Sequence, residues 1–106
     1  MIDGLVAGRL YGEAEQRVDK AGKPFTVAKV RAATGEGDTL FVNVIAFEDG
    51  LCAALSGLRD GDAVALAGSL TPRVWTDKQG NTRPALDMVA HRLLALHGGD
   101  ALRVDE

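Results

Sequence analysis

Five runs of alternating side chains, separated by turn chemistry and interrupted once by a helical pattern, constrain this chain more than any other feature. They are Leu5 to Tyr11, Phe25 to Ala33, Thr39 to Phe47, Ala63 to Leu70 and about Ala85 to Leu94. Period-two alternation is what a strand with one covered face requires, because successive side chains point to opposite sides. Gly8 and Gly12 permit a bent or closely approached backbone around the first run, Gly35-Glu36-Gly37-Asp38 turns the chain after the second, and Asp60-Gly61 leads into the fourth. Between the third and fourth runs, Asp49 to Leu58 sets Leu51, Ala54, Leu55 and Leu58 on one helical face, a short plug for a core.

Three strands, a helix and two strands, with an extended hairpin between the last two, is the order of the OB-fold, an all-β five-stranded Greek-key barrel. At 106 residues and 46% hydrophobic content, the chain fits one core and not two. We read residues 1–97 as that domain and 98–106 as a flexible tail. Cys52 is the only cysteine, which excludes a disulfide framework and a thiol-rich metal site. No apolar stretch approaches the ~20 residues that cross a bilayer, and the N-terminus lacks a basic segment followed by an apolar run, so the chain reads as soluble and cytoplasmic.

The net charge of −3 runs against the usual basic balance of a nucleic-acid binder. Distribution offsets the total. Many acids fall at expected turns or chain ends, while Lys29, Arg31, Arg73, Lys78 and Arg83 lie on or between strands. One face can therefore be positive within a Debye length of ~10 Å. On the second run, Val27, Lys29 and Arg31 share one side and Ala28, Val30 and Ala32 the other; the small apolar set suits an interior and leaves the cations outside.

The third run is apolar on both sides, with Leu40, Val42, Val44 and Ala46 against Phe41, Asn43, Ile45 and Phe47. A barrel has one inside, so the other row must meet a partner, a neighbouring element or a stacked ligand. Either Phe41 and Phe47 are core, or they face outward as stacking platforms. Trp75, the only tryptophan, precedes the turn Asp77-Lys78-Gln79-Gly80-Asn81 with Arg73 two residues earlier on the same side of an extended arm. It either packs on the barrel wall or holds an unpaired base, with Arg73 adding a phosphate or cation–π contact.

Catalytic chemistry finds no support. His91 and His97 have no Cys, Asp or Glu at metal-ligand spacing, Gly35-Glu36-Gly37 lacks the third glycine of a dinucleotide loop, and Ser56 and Ser69 have no base near them in sequence. The expectation is a non-enzyme without cofactor or metal.

From Leu5 to about Leu96 the chain resembles the bacterial single-stranded DNA-binding protein family, most specifically over Ala67-Gly68-Ser69-Leu70-Thr71-Pro72-Arg73-Val74-Trp75-Thr76-Asp77-Lys78-Gln79-Gly80. Val27 to Thr34 and Val6-Ala7-Gly8-Arg9-Leu10 are similar to its first core strands. The resemblance implies base stacking on Trp75, Phe41 and Phe47, phosphate contacts from Arg73 and Arg83 in the arm, and DNA running over Lys29 and Arg31; Lys78 joins the cationic set. It also implies homotetramers or homodimers and roles in replication, recombination or repair. The turn at Gly35 to Asp38 is short, without the aromatic and cations common there, and Val42 replaces a polar residue often used in subunit packing. The chain ends without the acidic tip that recruits replication enzymes, as in a short form. The alternative is an interaction subunit like primosomal replication protein N, acting mainly through contacts with replication or primosome proteins.

Overall fold

The alternating runs pair into one sheet that curls back on itself. In the computed structural model, which describes residues 2–33, 35 and 37–96, the elements are β1 (Ile2–Leu10), β2 (Glu15–Val18), β3 (Pro24–Ala33), β4 (Thr39–Ala46), α1 (Asp49–Ser56), β5 (Ala63–Thr76) and β6 (Thr82–Leu96). The strand order is β1-β5-β6-β4-β3-β2, and β1 pairs again with β3 through Arg9 and Leu10, so five strands close a ring. Every ladder is antiparallel except β4 with β6. This is the expected OB-fold barrel. The expected tail, residues 98–106, lies outside the described residues. Among the described residues no helix is long and apolar enough to cross a membrane.

Among the described residues six strands form, where the sequence pattern predicts five. The extra one, β2, has all four residues exposed, so no alternation of burial marks it, and its ladder to β3 from Glu15↔Val27 to Val18↔Pro24 defines it instead. The last two strands are also longer than their patterns, and β5 runs through Trp75 to Thr76, paired with β6 as Arg73↔Ala85 and Trp75↔Arg83. Past Leu70 every β5 side chain is exposed, so the amphipathic signal ends where the arm leaves the barrel.

The barrel interior takes Leu10 from β1, Val30 from β3, Val42 and Val44 from β4, Val64 and Leu66 from β5 and Met88 from β6, all at or near zero exposure. Leu55 of α1 plugs it, completely buried, with Leu51 beside it. Each such side chain contributes about 1.5–3 kcal/mol of burial. The helix is shorter than expected. It ends at Ser56, Leu58 is buried just beyond it, and Ala54, expected on the buried face, is exposed because the contact centres on Leu51 and Leu55. Val42 points into the barrel and is fully buried, so it is a core residue and not the subunit contact that the family resemblance suggested for its position.

Two glycines are sterically required. A Cβ on Gly8 would lie 2.4 Å from the Arg31 carbonyl oxygen where β1 crosses β3, and one on Gly68 would lie 2.1 Å from the Val89 oxygen. At Gly68 the β5–β6 register shifts by one residue, the β-bulge that bends these strands around the barrel.

Candidate nucleic-acid interface

The ladders place the outward residues in transverse rows. Val27 on β3 pairs with Ile45 on β4, which pairs with Val89 on β6 and so with Ser69 on β5. The next row is Lys29, Asn43, Asp87 and Thr71, and the one after it Arg31, Phe41, Ala85 and Arg73. Trp75 and Arg83 follow on the arm. The odd-numbered row of β4 is therefore the outer one, because its even partners Val42, Val44 and Ala46 fill the interior. Phe41 and Phe47 are therefore outside the barrel core.

Two hollows run along this face. One, about 610 Å³, is lined by Tyr11, Lys29, Phe41, Arg73, Trp75 and Asp87 among others. The second, about 810 Å³, continues past Val27, Ile45 and Val89 toward Glu15 and Arg17 of β2. They share Tyr11, Lys29, Asn43, Arg73 and Asp87, and so form one trough over the curved sheet.

Aromatic rings and cations interleave along it. Tyr11 meets Phe41 edge-on with centroids 5.3 Å apart, the Lys29 Nζ sits 5.9 Å from the Phe41 ring, and the Arg31 guanidinium 5.4 Å from that of Tyr11. Such cation–π pairs hold the charges over flat faces without neutralising them. Trp75 is 44% exposed and Phe47 49%, enough open surface on each for a further flat group to cover. Phe47 stands apart from the others, beside Phe25 at 6.1 Å. It is six residues from Phe41, roughly 20 Å at strand rise.

The cations divide into two sets. Among the described residues Lys29, Arg31 and Lys78 make no ion pair, whereas Arg73 is bound to Asp87 and Arg83 to Asp77 at 3.0 Å. The sequence reading treats all five alike; the acids across the ladder set two of them apart. Asp77 also accepts the backbone N–H groups of Asn81 and Gln79 at 2.9 and 3.0 Å, which closes the arm tip. The Arg83 guanidinium first, then the Asn81 amide and, less, that of Gln79, hold its carboxyl below the usual range against an opposing effect of desolvation.

Four residues of this face are absent from the sequence-based set: Tyr11, Phe25, Asn43 and Asp87. Tyr11 closes the first alternating run at a Gly, a signal that reads equally as a strand end. Asp87 falls in the outward register of the fifth run, but only the tertiary ladder brings it beside Arg73. His91 lies elsewhere, with its Nδ1 3.9 Å from Glu48.

A barrel with this strand order, with one helix plugging it between β4 and β5, defines the class of OB-fold domains. The family model of the Single-strand binding protein family matches residues 2–96, and the chain belongs to that family. Solved structures share the fold. The small single-stranded DNA-binding protein from Streptomyces coelicolor is 22% identical with a TM-score of 0.70, over 89% of this chain and 93% of that one. The mitochondrial single-stranded DNA-binding protein Rim1 from S. cerevisiae is 17% identical, TM-score 0.69, over 90% and 94%. The Plasmodium falciparum SSB in complex with ssDNA is 14% identical, TM-score 0.67, over 91% and 95%. No curated protein matches by sequence.

Proposed function

We propose that this chain binds single-stranded DNA without enzymatic turnover, stacking bases on Phe41, Trp75 and Phe47 and drawing phosphates to Lys29, Arg31 and Lys78, in replication, recombination or repair. Arg73 and Arg83 act at the strand through their ion pairs, presenting the guanidinium edges that Asp87 and Asp77 leave open. The observation that carries this reading is the continuous outer trough, lined by the rings of Tyr11, Phe41 and Trp75 with Lys29 among them, and the exposed ring of Phe47 outside it. Stacking of this kind is sequence-tolerant, because every base offers a π-face. The family match supports the ligand, and the chain shares its fold with the P. falciparum SSB solved in complex with ssDNA.

The test is a titration of dT oligomers followed by Trp75 fluorescence and anisotropy. Affinity falls with salt at about −0.7 in log–log slope per phosphate neutralised. Three unpaired cations give a slope near −2, and a salt-independent or absent response at low ionic strength would end the reading.

Assembly as a homo-oligomer belongs to the same proposal. Along Ile2–Gly8 one edge of β1 pairs with β5 and the other has no strand partner among the described residues, while Leu5 on its outer face is 70% exposed. Antiparallel pairing of this Ile2–Gly8 edge with the same edge of a second copy is self-complementary. Light scattering with and without a dT oligomer reads both assembly and stoichiometry. The lone thiol, Cys52, donates to the Ala46 carbonyl and suits a reducing cytoplasm. The −3 charge and the ion-paired arginines favour one second reading, a subunit engaging replication or primosome proteins; a partner retained after nuclease treatment supports it.

A further inference from the structure

We infer that the Asp87 carboxylate makes the trough discriminate among pyrimidines, favouring cytosine over thymine in the hollow that Asp87 lines together with Phe41 and Trp75. The inference rests on the proposed binding of single-stranded DNA and goes beyond it, because stacking alone carries no such preference.

Asp87 occupies the row next to that of Phe41, on the side away from Trp75, and lies on the floor shared by both hollows. Its side chain is one-third exposed. Two strands clamp it: the Asn43 amide on β4 donates to Oδ1 at 3.2 Å, and Arg73 Nε on β5 donates to Oδ2. An ionised carboxylate has about four acceptor sites and no donor, so each oxygen keeps one site for a third group. The clamp fixes where those sites point. Arg73 Nε is held against the carboxylate while the rest of its guanidinium stays exposed, so a phosphate meets Arg73 at its outer edge and an anion at the floor. What the floor accepts is a hydrogen-bond donor. Cytosine carries the N4 amino group where thymine carries the O4 acceptor, and carboxylates pair with cytosine N4 in base readout generally. A thymine turned the same way sets O4 against an anion.

The competing explanation is that Asp87 only positions Arg73, in which case its loss changes binding of every oligomer alike. The experiment compares Kd values of the full chain for dC and dT oligomers of one length above neutral pH, with wild type and Asp87→Asn. A third oligomer, built on N4,N4-dimethylcytosine, removes the donor from the ligand and leaves the protein untouched. The asparagine keeps the shape and can turn its N–H to thymine O4. The expected result is a fall of about fivefold in the dC-to-dT affinity ratio in the variant, the lower end for one base-edge contact. In wild type, the dimethylated oligomer falls toward the dT affinity. Equal change of dC and dT binding in Asp87→Asn overturns the inference, as does a dimethylated oligomer that binds wild type as tightly as dC. Binding of dC and dT that is tight but equal in wild type removes the inference and leaves the proposed function standing, whereas absence of binding to any oligomer removes both.

Discussion

Replacing Trp75 with alanine separates a stacking platform from a wall residue. The indole is 44% exposed, and of the ~250 Å² that a large aromatic presents, roughly 110 Å² is open to a ligand. A base covering most of that area is worth ~2–3 kcal/mol at about 25 cal/mol per Å². That agrees with the ~1–3 kcal/mol lost per base when a stacking aromatic is removed. Kd for a dT oligomer therefore rises by roughly 10- to 100-fold. Trp75 pairs with Arg83 on the two-stranded arm and is not a member of the buried core cluster, so thermal unfolding moves by less than about 5 °C. Anisotropy of an end-labelled oligomer at low salt measures the first quantity, because the variant has lost its intrinsic fluorophore, and circular dichroism measures the second. Unchanged affinity, or loss of the cooperative melt, would refute the reasoning: the first denies stacking and the second makes the ring a support of the barrel.

Three further outcomes follow from the same geometry. Gly68→Ala sets a Cβ 2.1 Å from the Val89 oxygen, backbone that cannot yield without breaking the β5–β6 ladder, and costs at least ~3 kcal/mol; a melt within a degree or two of wild type would show the bulge to be adaptable. Thr26 is fully buried and its hydroxyl has no hydrogen-bond partner among the described residues, so Thr26→Val stabilises the chain by about 1 kcal/mol, and a lower midpoint in urea denaturation would count against it. Asp77 has a folded-state pKa below its unfolded one, so its support of the arm tip is complete above the ordinary carboxylate value of about 3.9 and is lost as pH falls through the lower folded value. Hydrogen exchange of the Gln79 and Asn81 amides, followed down the pH scale and corrected for intrinsic rate, checks this; protection already lost at neutral pH excludes it.

Much of this architecture is legible in the chain because burial has a period. The β3 and β4 runs alternate, so inside and outside follow once one row is assigned, and Leu51 and Leu55 mark the one helix among the described residues by their spacing. Where burial has no period, the pattern is silent. β2 is exposed on both faces and is defined only by its ladder, and the arm beyond Leu70 loses its alternation while remaining a strand.

The candidate site divides along the same line. Phe41, Phe47, Trp75, Lys29 and Arg31 stand out by residue type, but alternation left open which side the rings take, and the filled interior of β4 decides it for the two phenylalanines. The pairing of Arg73 with Asp87, fourteen residues apart, and the placing of Asn43 against Asp87, forty-four apart, exist only because β4 and β5 flank β6.

Taken alone, the order of residues determined which side chains are apolar, which alternate, and therefore that a small closed barrel with one helical plug is the compact solution. Tertiary structure decided which charges remain open to a ligand and which are spent on each other. Charge pairing acts across space at a few ångströms, and the distance between two side chains on different strands is set by register, a property of the assembled sheet and not of any one segment.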